Sequence, residues 1–508
     1  MNLIVANRRH LPRPKQLAAL LASACVVGAL LPAPARHALA QASTASFTGT
    51  LTVYASQYTP VVPSQSNPHP ATYLGTVVKN YEAMHRGVTI KLLPNVTATT
   101  VGVDQWKNTQ FAGGTEPDII YNNPVEANNK DVSKGWYLPL DSYLTQPNPY
   151  QSGNTTWASD FPSGALANVT NANGHNYNLP LDAIDTAIFY NKTAFAKAGI
   201  GHPPTTWAEM IADMAALKKA GYSPLFLNVG AAGTDYMDWW ERQIDDMLYH
   251  SEAAKFHALP GGAKGTQQLT VPQMVHAIKA GLFSTHDSRF IEDWRLLKQL
   301  ASYAQPGFEG VASSGTSTAS LADTLFATQK VAMFEGTTAD VKTLGELHLS
   351  FPWSTFMAVP PMTRATSSYA TGTLPGKIGI VGAFANYNIT VATTQRDHNL
   401  PLALDFLRYL TQPSTGGRMI TQLGIMVPII KGVPIPEGLK VFIPSVARPD
   451  CLLPGFNEQL DVQYATAYYK VLQLYLIGQI GESDALMQVQ QLMTTGADRV
   501  AAQNHIKL

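Results

Sequence analysis

Glu241 and Asp245, one helical turn apart beside Trp239 and Trp240, are the one pair of side chains here whose types and spacing invite a catalytic reading. Glycoside hydrolysis needs two carboxyl groups at a set separation, one to protonate the leaving group and one to attack or to activate water. Spacing along a helix does not supply that distance, and a solvated or capping helix face accounts for the same pair more simply. Other catalytic patterns do not occur. The chain has no Gly-x-Ser-x-Gly elbow, no phosphate-cradling Gly-Lys-Ser/Thr and no His-Glu-x-x-His helix. Its 13 histidines are scattered, and one such as His250 reads as a surface or a satisfied core residue. The expectation is therefore a protein that is no enzyme, with no cofactor and no metal.

The elements that must position any site are legible as periodicities. Gly49 to Tyr54 alternates like a strand, Leu74, Val77, Val78, Tyr81 and Met84 share one helical face, and Val88 to Leu92 is a second strand. That order is a βαβ unit and implies a parallel sheet. Ile119 to Tyr121 follows Pro117-Asp118 as a further buried strand. Ala187 to Tyr190 reads as another, with a short helix from Thr193 to Ala198 after it. Pro203-Pro204 then breaks the chain, and Thr206 with Glu209 forms a capping box for a helix running to Gly221. Strands are expected at Tyr222 to Leu227, Gly379 to Gly382 and Tyr387 to Val391. Helices are expected from Tyr236 through Met247, from Phe290 to Gln305, from Leu321 after a small-residue loop at 310–320, and around Leu404 to Leu410 and Ser414 to Leu423. The tail from Tyr464 to Ala502 reads as mostly helical, with Ser483 as an N-cap.

With 508 residues, 45% of them hydrophobic and 14% charged, the chain can bury two cores and carries no footprint for a charged polymer. Residues 1–40 read as a signal peptide, with Arg8, Arg9, Arg13 and Lys15, an apolar core from Leu17 to Leu31, and Ala38-Leu39-Ala40 as the cleavage site. Cleavage removes five basic residues of the 35 and no acidic one, leaving 30 against 35, a net of −5. Nucleic acid is not expected as a partner. Cys25 sits in a poor lipobox, so a soluble processed chain is expected over a lipid anchor. Processing leaves Cys451 as the single cysteine, so no intramolecular disulfide is expected.

Leu179-Pro180, Tyr190-Asn191-Lys192 and Pro204-Thr205-Thr206-Trp207-Ala208-Glu209, in that order, resemble the signature of the family 1 extracellular solute-binding proteins, the maltose-binding-like receptors of bacterial ABC importers. Gly114 to Tyr121, Gly135 to Asp141 and Phe326 to Gly336 resemble three further blocks of that family. Gln329 stands where a glycine is usual, and Thr337 follows Gly336 where many sugar receptors carry a tryptophan.

The resemblance implies a two-lobed α/β periplasmic-binding fold, each lobe a mixed or mostly parallel sheet flanked by helices and joined to the other by a hinge. It places the N-terminal lobe at residues 48–181 and 378–432 and the C-terminal lobe at 182–377 and 433–508. It implies a monomer, exported to the periplasm or cell surface, that closes on a sugar, oligosaccharide or polyol and delivers it to ABC permease subunits. An exported carbohydrate-active enzyme and a solute sensor for a non-sugar ligand remain the alternatives. Sugars offer apolar faces to aromatic rings and polar edges to amides and carboxylates. Tyr236 and Trp239 match the family's Tyr-x-x-Trp, although a helix packing its aromatics inward gives the same spacing. Asp182 and Asp185 lie on the implied crossing segment, while Ile184 stands where some members carry a glutamate. Tyr54, Gln57 and Tyr58, at the end of the first strand, are candidates for the first lobe's side. Asn122 and Asn123 are further candidates, equally readable as turn builders, and Glu335, Thr337 and Asn386 complete the set.

Overall fold

A computed structural model of the chain describes residues 47–63, 70–96, 100–122, 131–171, 173–229, 236–262, 268–310, 317–357, 359–374, 376, 379–442, 452–453 and 460–508. The segment 1–40 with Cys25, and also Asn123 and Cys451, lie outside the described residues.

Two sheets are built from strands far apart in sequence. In the first, β1 (Thr48–Tyr54), β2 (Gly87–Leu92), β3 (Ile119–Tyr121), β4 (Leu179–Pro180) and β10 (Asn386–Ile389) lie in the order β2-β1-β3-β10-β4. β1 pairs in parallel with both β2 and β3, as the βαβ pattern requires, whereas β10 runs antiparallel between β3 and β4. Helix Tyr73–Met84 buries Leu74, Val77, Val78 and Tyr81 against this sheet. The Tyr81 hydroxyl donates at 2.7 Å to Asp405, on helix Leu400–Leu410, which anchors a late segment to an early one.

The second sheet is organised by β5 (Asp182–Asn191), longer than the four residues expected. Its first residues pair with β9 (Gly379–Val381) and β11 (Val427–Pro428). Its later ones pair with β7 (Val331–Thr337) on one side and β8 (Trp353–Met357) on the other, and β6 (Ser223–Phe226) joins β7 in parallel. The stretch 187–190 of β5 is a continuous apolar run because both its faces are covered. Ile188 enters one core while Ala187 and Phe189 enter the other. Over the first of these cores, helix Trp207–Lys219 buries Trp207, Met210, Met214 and Leu217. Trp240, Trp294, Leu297, Tyr464 and Tyr468 fill the same core from helices Tyr236–Tyr249, Ser288–Ala301 and Val462–Leu476. Each such side chain contributes about 1.5–3 kcal/mol of burial.

Several local details depart from expectation. Thr206 accepts the Glu209 N–H at 3.2 Å, but the glutamate reaches past it to the Thr205 N–H and hydroxyl, both at 2.7 Å. The helix at 321 begins four residues earlier, at Ser317. The final helix starts at Glu482 with Gly481 as its N-cap, so Ser483 lies inside it. Ser414 to Leu423 is one wide π-type turn, Pro413–Gly417, followed by helix Arg418–Leu423.

Candidate functional site

The chain passes between the sheets between β4 and β5, between β9 and β10, and at β11. Leu181 ends the first sheet's share and donates its N–H to Ala385 at 2.8 Å. Asp182, fully buried, follows. One carboxylate oxygen accepts the Tyr58 hydroxyl at 2.8 Å, and the other accepts the N–H groups of Phe384 at 3.2 Å and Ala385 at 3.1 Å. Its carbonyl accepts the Gly382 N–H at 2.6 Å. Burial pushes the Asp182 carboxyl up to about 6, although these donors pull the other way. Burial and the neighbouring carboxylate hold the Tyr58 phenol well above its usual range. Asp182 and Tyr58 are thus engaged with the connection between the sheets, while Gln57 beside Tyr58 is exposed.

Gly382 turns the second passage with φ +79°, and a Cβ there would lie 2.8 Å from that of Asn386. Both the left-handed conformation and the contact oppose a side chain, so Gly382→Ala is expected to destabilise the protein by roughly 2 kcal/mol or more. Urea unfolding measures this, and a loss under about 0.5 kcal/mol would show that the turn relaxes freely.

Asn122 and Asn386 face each other across β3 and β10. The Asn122 N–H donates to the Asn386 carbonyl at 3.1 Å, and Asn386 Nδ2 donates back to the Asn122 carbonyl at 2.9 Å and to Asn178 Oδ1 at 3.1 Å. The Asn122 side chain is held in turn by Lys107, whose ammonium donates to its Oδ1 at 3.0 Å. Asn122 Nδ2 donates to Asp131 at 2.7 Å and to Tyr137 at 2.9 Å. Lys107 and Asp131 are both 2% exposed and pair at 2.6 Å. Burial alone would raise the Asp131 carboxyl; the lysine and the surrounding donors bring it below its usual value. Tyr54 packs against Trp106 in a tilted contact, with ring centroids 4.5 Å apart and planes at 43°, and reaches Asn95 at 3.4 Å. Tyr121, not singled out in the sequence, donates its hydroxyl to Ala383 at 2.5 Å.

On the second sheet, Glu335 of β7 is fully buried and accepts Gln243 Nε2 at 2.7 Å. The same amide group donates to the Trp239 carbonyl at 2.9 Å. Burial pushes Glu335 up to about 8; the Thr186 hydroxyl and Gln243 oppose this, and the carboxylates of Asp185 and Asp238 add to it. At neutral pH Glu335 is therefore protonated, able to donate one hydrogen bond and accept others. Asp185 accepts the Thr186 N–H at 2.8 Å. Trp239 is half-buried and packs against the core shared by both sheets, whereas Trp240 is fully buried. Tyr236 opens the helix, with its side chain outside the described residues. Thr337 caps helix Thr338–Glu346: its hydroxyl accepts the Ala339 N–H at 3.2 Å and its own N–H donates to Asp340 at 2.5 Å.

The expected residues therefore fall into separate groups. Trp239 and Glu335 meet at Gln243, with Asp185 acting electrostatically on Glu335; Asp182 and Tyr58 meet at the passages, Asn122 and Asn386 join two strands, and Thr337 is a cap. Gln243, Thr186 and Lys107 were missed. Of these only Gln243 carried a signal, four residues after Trp239 on the same helix face.

Glu241 and Asp245 correct the solvated-face expectation: they are 0% and 1% exposed, in the core of the second lobe. Glu241 accepts the hydroxyls of Tyr468 and, at 3.5 Å, Tyr469, and Trp294 Nε1 donates to Tyr468 at 2.8 Å. A glycoside has no access to carboxyls so placed. Among the described residues no group of three His, Cys, Asp or Glu side chains is placed to hold a metal.

A binding protein of Brucella abortus strain 2308 is 31% identical over 149 residues, 29% of this chain and 33% of its own. The chain thus spans about a third of the length of the curated relatives it matches first. Among solved structures, a chitin oligosaccharide binding protein superposes with a TM-score of 0.59 at 20% identity, over 89% of this chain and 99% of that one. The sugar-binding protein MalE of Xanthomonas citri gives 0.61 at 15% identity, over 90% and 99%. At these identities the likeness is one of fold, and the fold is that of two-lobed periplasmic binding proteins. The sequence profile of the bacterial extracellular solute-binding proteins matches residues 66–416, the greater part of the chain, and this protein belongs to that family.

Proposed function

We propose that the protein is the extracytoplasmic substrate-binding component of an ABC importer, which captures a sugar, oligosaccharide or polyol between its lobes and releases it unchanged to the permease subunits. The observation that carries this reading is the passage of the chain between two sheets at the short segments 181–182 and 382–385, within a chain of this family. Two lobes so joined can populate open and closed states a few kcal/mol apart, and a solute touching both shifts the balance. We assign the lobes to residues 48–181 with 378–432 and 182–377 with 433–508. The exported form begins after the signal peptide at 1–40, without a lipid on Cys25, and acts as a monomer.

Carbohydrate is the favoured ligand class. The chitin-oligosaccharide and MalE proteins that share the fold are named for sugars, and the half-buried Trp239 offers an aromatic ring on a helix held to β7 through the Gln243–Glu335 bond. Trp239, half-buried, is the residue we assign to the second lobe's wall, with the fully buried Glu335 and Asp185 as support behind it.

A thermal-shift and calorimetric screen of residues 41–508 against sugars, polyols, amino acids and peptides tests this. The true ligand at about 100 times its dissociation constant adds roughly 2.7 kcal/mol of stability. Saturable binding of one carbohydrate, recovered intact, is the expected result. Chemical conversion of that compound, or binding confined to amino acids or peptides, overturns the assignment.

A further inference from the structure

The passages between the lobes converge on one side chain. Asp182 opens β5, lies opposite Pro428 of β11, and through its carbonyl and carboxylate accepts three N–H groups from residues 382–385. Its remaining contact, the Tyr58 hydroxyl, comes from the Ser56–Tyr58 turn that follows β1. These partners lie 124, 202 and 203 positions away along the chain. We propose that the Asp182 carboxylate is the pin of the hinge, a positioning residue that ties the connecting strands to the first lobe and sets how far and how readily the lobes part. This rests on the reading that the lobes open and close around a solute.

A carboxylate is suited to the task because its two oxygens accept several donors at once, and charge makes each bond stronger than between neutral groups. An alanine here would leave backbone N–H groups buried without partners. The titratable groups that face Asp182 are phenols: Tyr58 from the turn, Tyr121 from β3 and Tyr387 from β10. On the other side β9 and β11 present Val381, Val427 and Pro428. Protonation removes the charge that strengthens these bonds and turns one acceptor oxygen into a donor hydroxyl, which the Tyr58 hydroxyl meets only by reversing the direction of its bond. The pin is therefore firm at neutral pH and loosens in acid.

The distribution of distances between the lobes tests this without knowledge of the solute. Spin labels on Lys79→Cys and Ala215→Cys, at exposed positions of helices Tyr73–Met84 and Trp207–Lys219, report it in a Cys25→Ser, Cys451→Ser background. Asp182→Ala, and Tyr58→Phe as the milder variant that only deletes a hydroxyl, are expected to change the ratio of open to closed distances about tenfold at neutral pH. Asp182→Asn keeps an acceptor for the backbone donors. It lacks the charge, as the protonated carboxyl does, so it is expected to hold at neutral pH the distribution that wild type reaches in acid, and to abolish the change on acidification through the carboxyl's range. Variants that stay folded by circular dichroism yet keep the wild-type distribution at both pH values overturn the pin alone. A single invariant distance in every protein, with and without the sugar panel, overturns the hinge reading with it.

Discussion

Raising the pH from about 5 to about 9 is expected to lower the unfolding temperature, and Asp293→Asn to blunt that loss. Glu241 and Asp245 on helix Tyr236–Tyr249 and Asp293 on helix Ser288–Ala301 are at most 1% exposed. Around them stand Tyr249, Tyr464, Tyr468 and Tyr469 and the further acids Asp238, Asp246 and Asp287. The nearby arginines are engaged elsewhere, Arg289 with Glu252 at 3.0 Å and Arg242 with Asp238 at 3.9 Å. Neither Asp293 oxygen has a hydrogen-bond partner among the described residues. Burial first, and mutual repulsion second, hold all three carboxyls well above the usual range.

The sign follows from linkage. Unfolded carboxyls titrate near 4, so between that value and the folded one the native state binds more protons, and stability falls as pH rises. The contribution is complete below about 4 and is lost as pH climbs through the folded values. Glu335 and Asp323, both pushed up to about 8 by burial, add to the same window. Each group removes at most about 1.4 kcal/mol per pH unit, which for a lobe-sized unit is roughly 2–4 °C per kcal/mol. Asp293→Asn is expected to match wild type within about 1 kcal/mol in acid and to exceed it in alkali. Calorimetry across the range decides the matter. A wild-type stability that stays level or rises towards alkaline pH rules the account out.

Lys107→Met is expected to cost about 3 kcal/mol, by stranding the buried Asp131 carboxylate rather than by losing packing. The range for breaking a buried pair is about 3–5 kcal/mol, and the lower end applies because Lys134 still reaches Asp131 at 3.1 Å from a half-exposed position. The Asn122 Oδ1 loses its donor in the same step. Lys107→Met with Asp131→Leu is therefore expected to be more stable than Lys107→Met alone, since the pair is removed together. Chemical unfolding of the four proteins in the cycle gives the coupling energy. A value near zero would mean that water reaches the pair and screens it.

Local sequence carried much of the fold. Thr206 before Trp207, and the apolar repeat Trp207, Met210, Met214 and Leu217, specify a helix whatever surrounds it, and the structure has it. Leu179-Pro180 and Tyr190-Asn191 likewise stand at the ends of β4 and β5. What local pattern does not encode is which strand lies beside which. β10 sits between β3 and β4, a placement decided by pairing across more than two hundred residues. Helix Tyr236–Tyr249 misled for a related reason. Asp238, Glu241, Arg242, Asp245 and Asp246 make it look solvated, yet other helices cover nearly all of it. The candidate site suffered most, because hydrogen-bond partners cannot be read from residue type. Asp182 has the composition of a ligand contact and the partners of a structural joint, and Thr337 those of a helix cap.

The insertion of β10 also bears on the order in which the protein assembles. The first sheet draws its early strands from the N-terminal part of the chain, but the slot between β3 and β4 stays vacant until residues 386–389 have been made. By then β5 to β8 already exist. The core that holds Trp240 and Trp294 waits too, since helices Val462–Leu476 and Glu482–Gln503 complete it. Neither half can finish as a ribosome-proximal unit, and contacts this distant in sequence close slowly. The core that holds Trp240 and Trp294 therefore stays incomplete until the helix Glu482–Gln503 has been made, whereas the core around the first sheet draws on no described residue beyond Phe442.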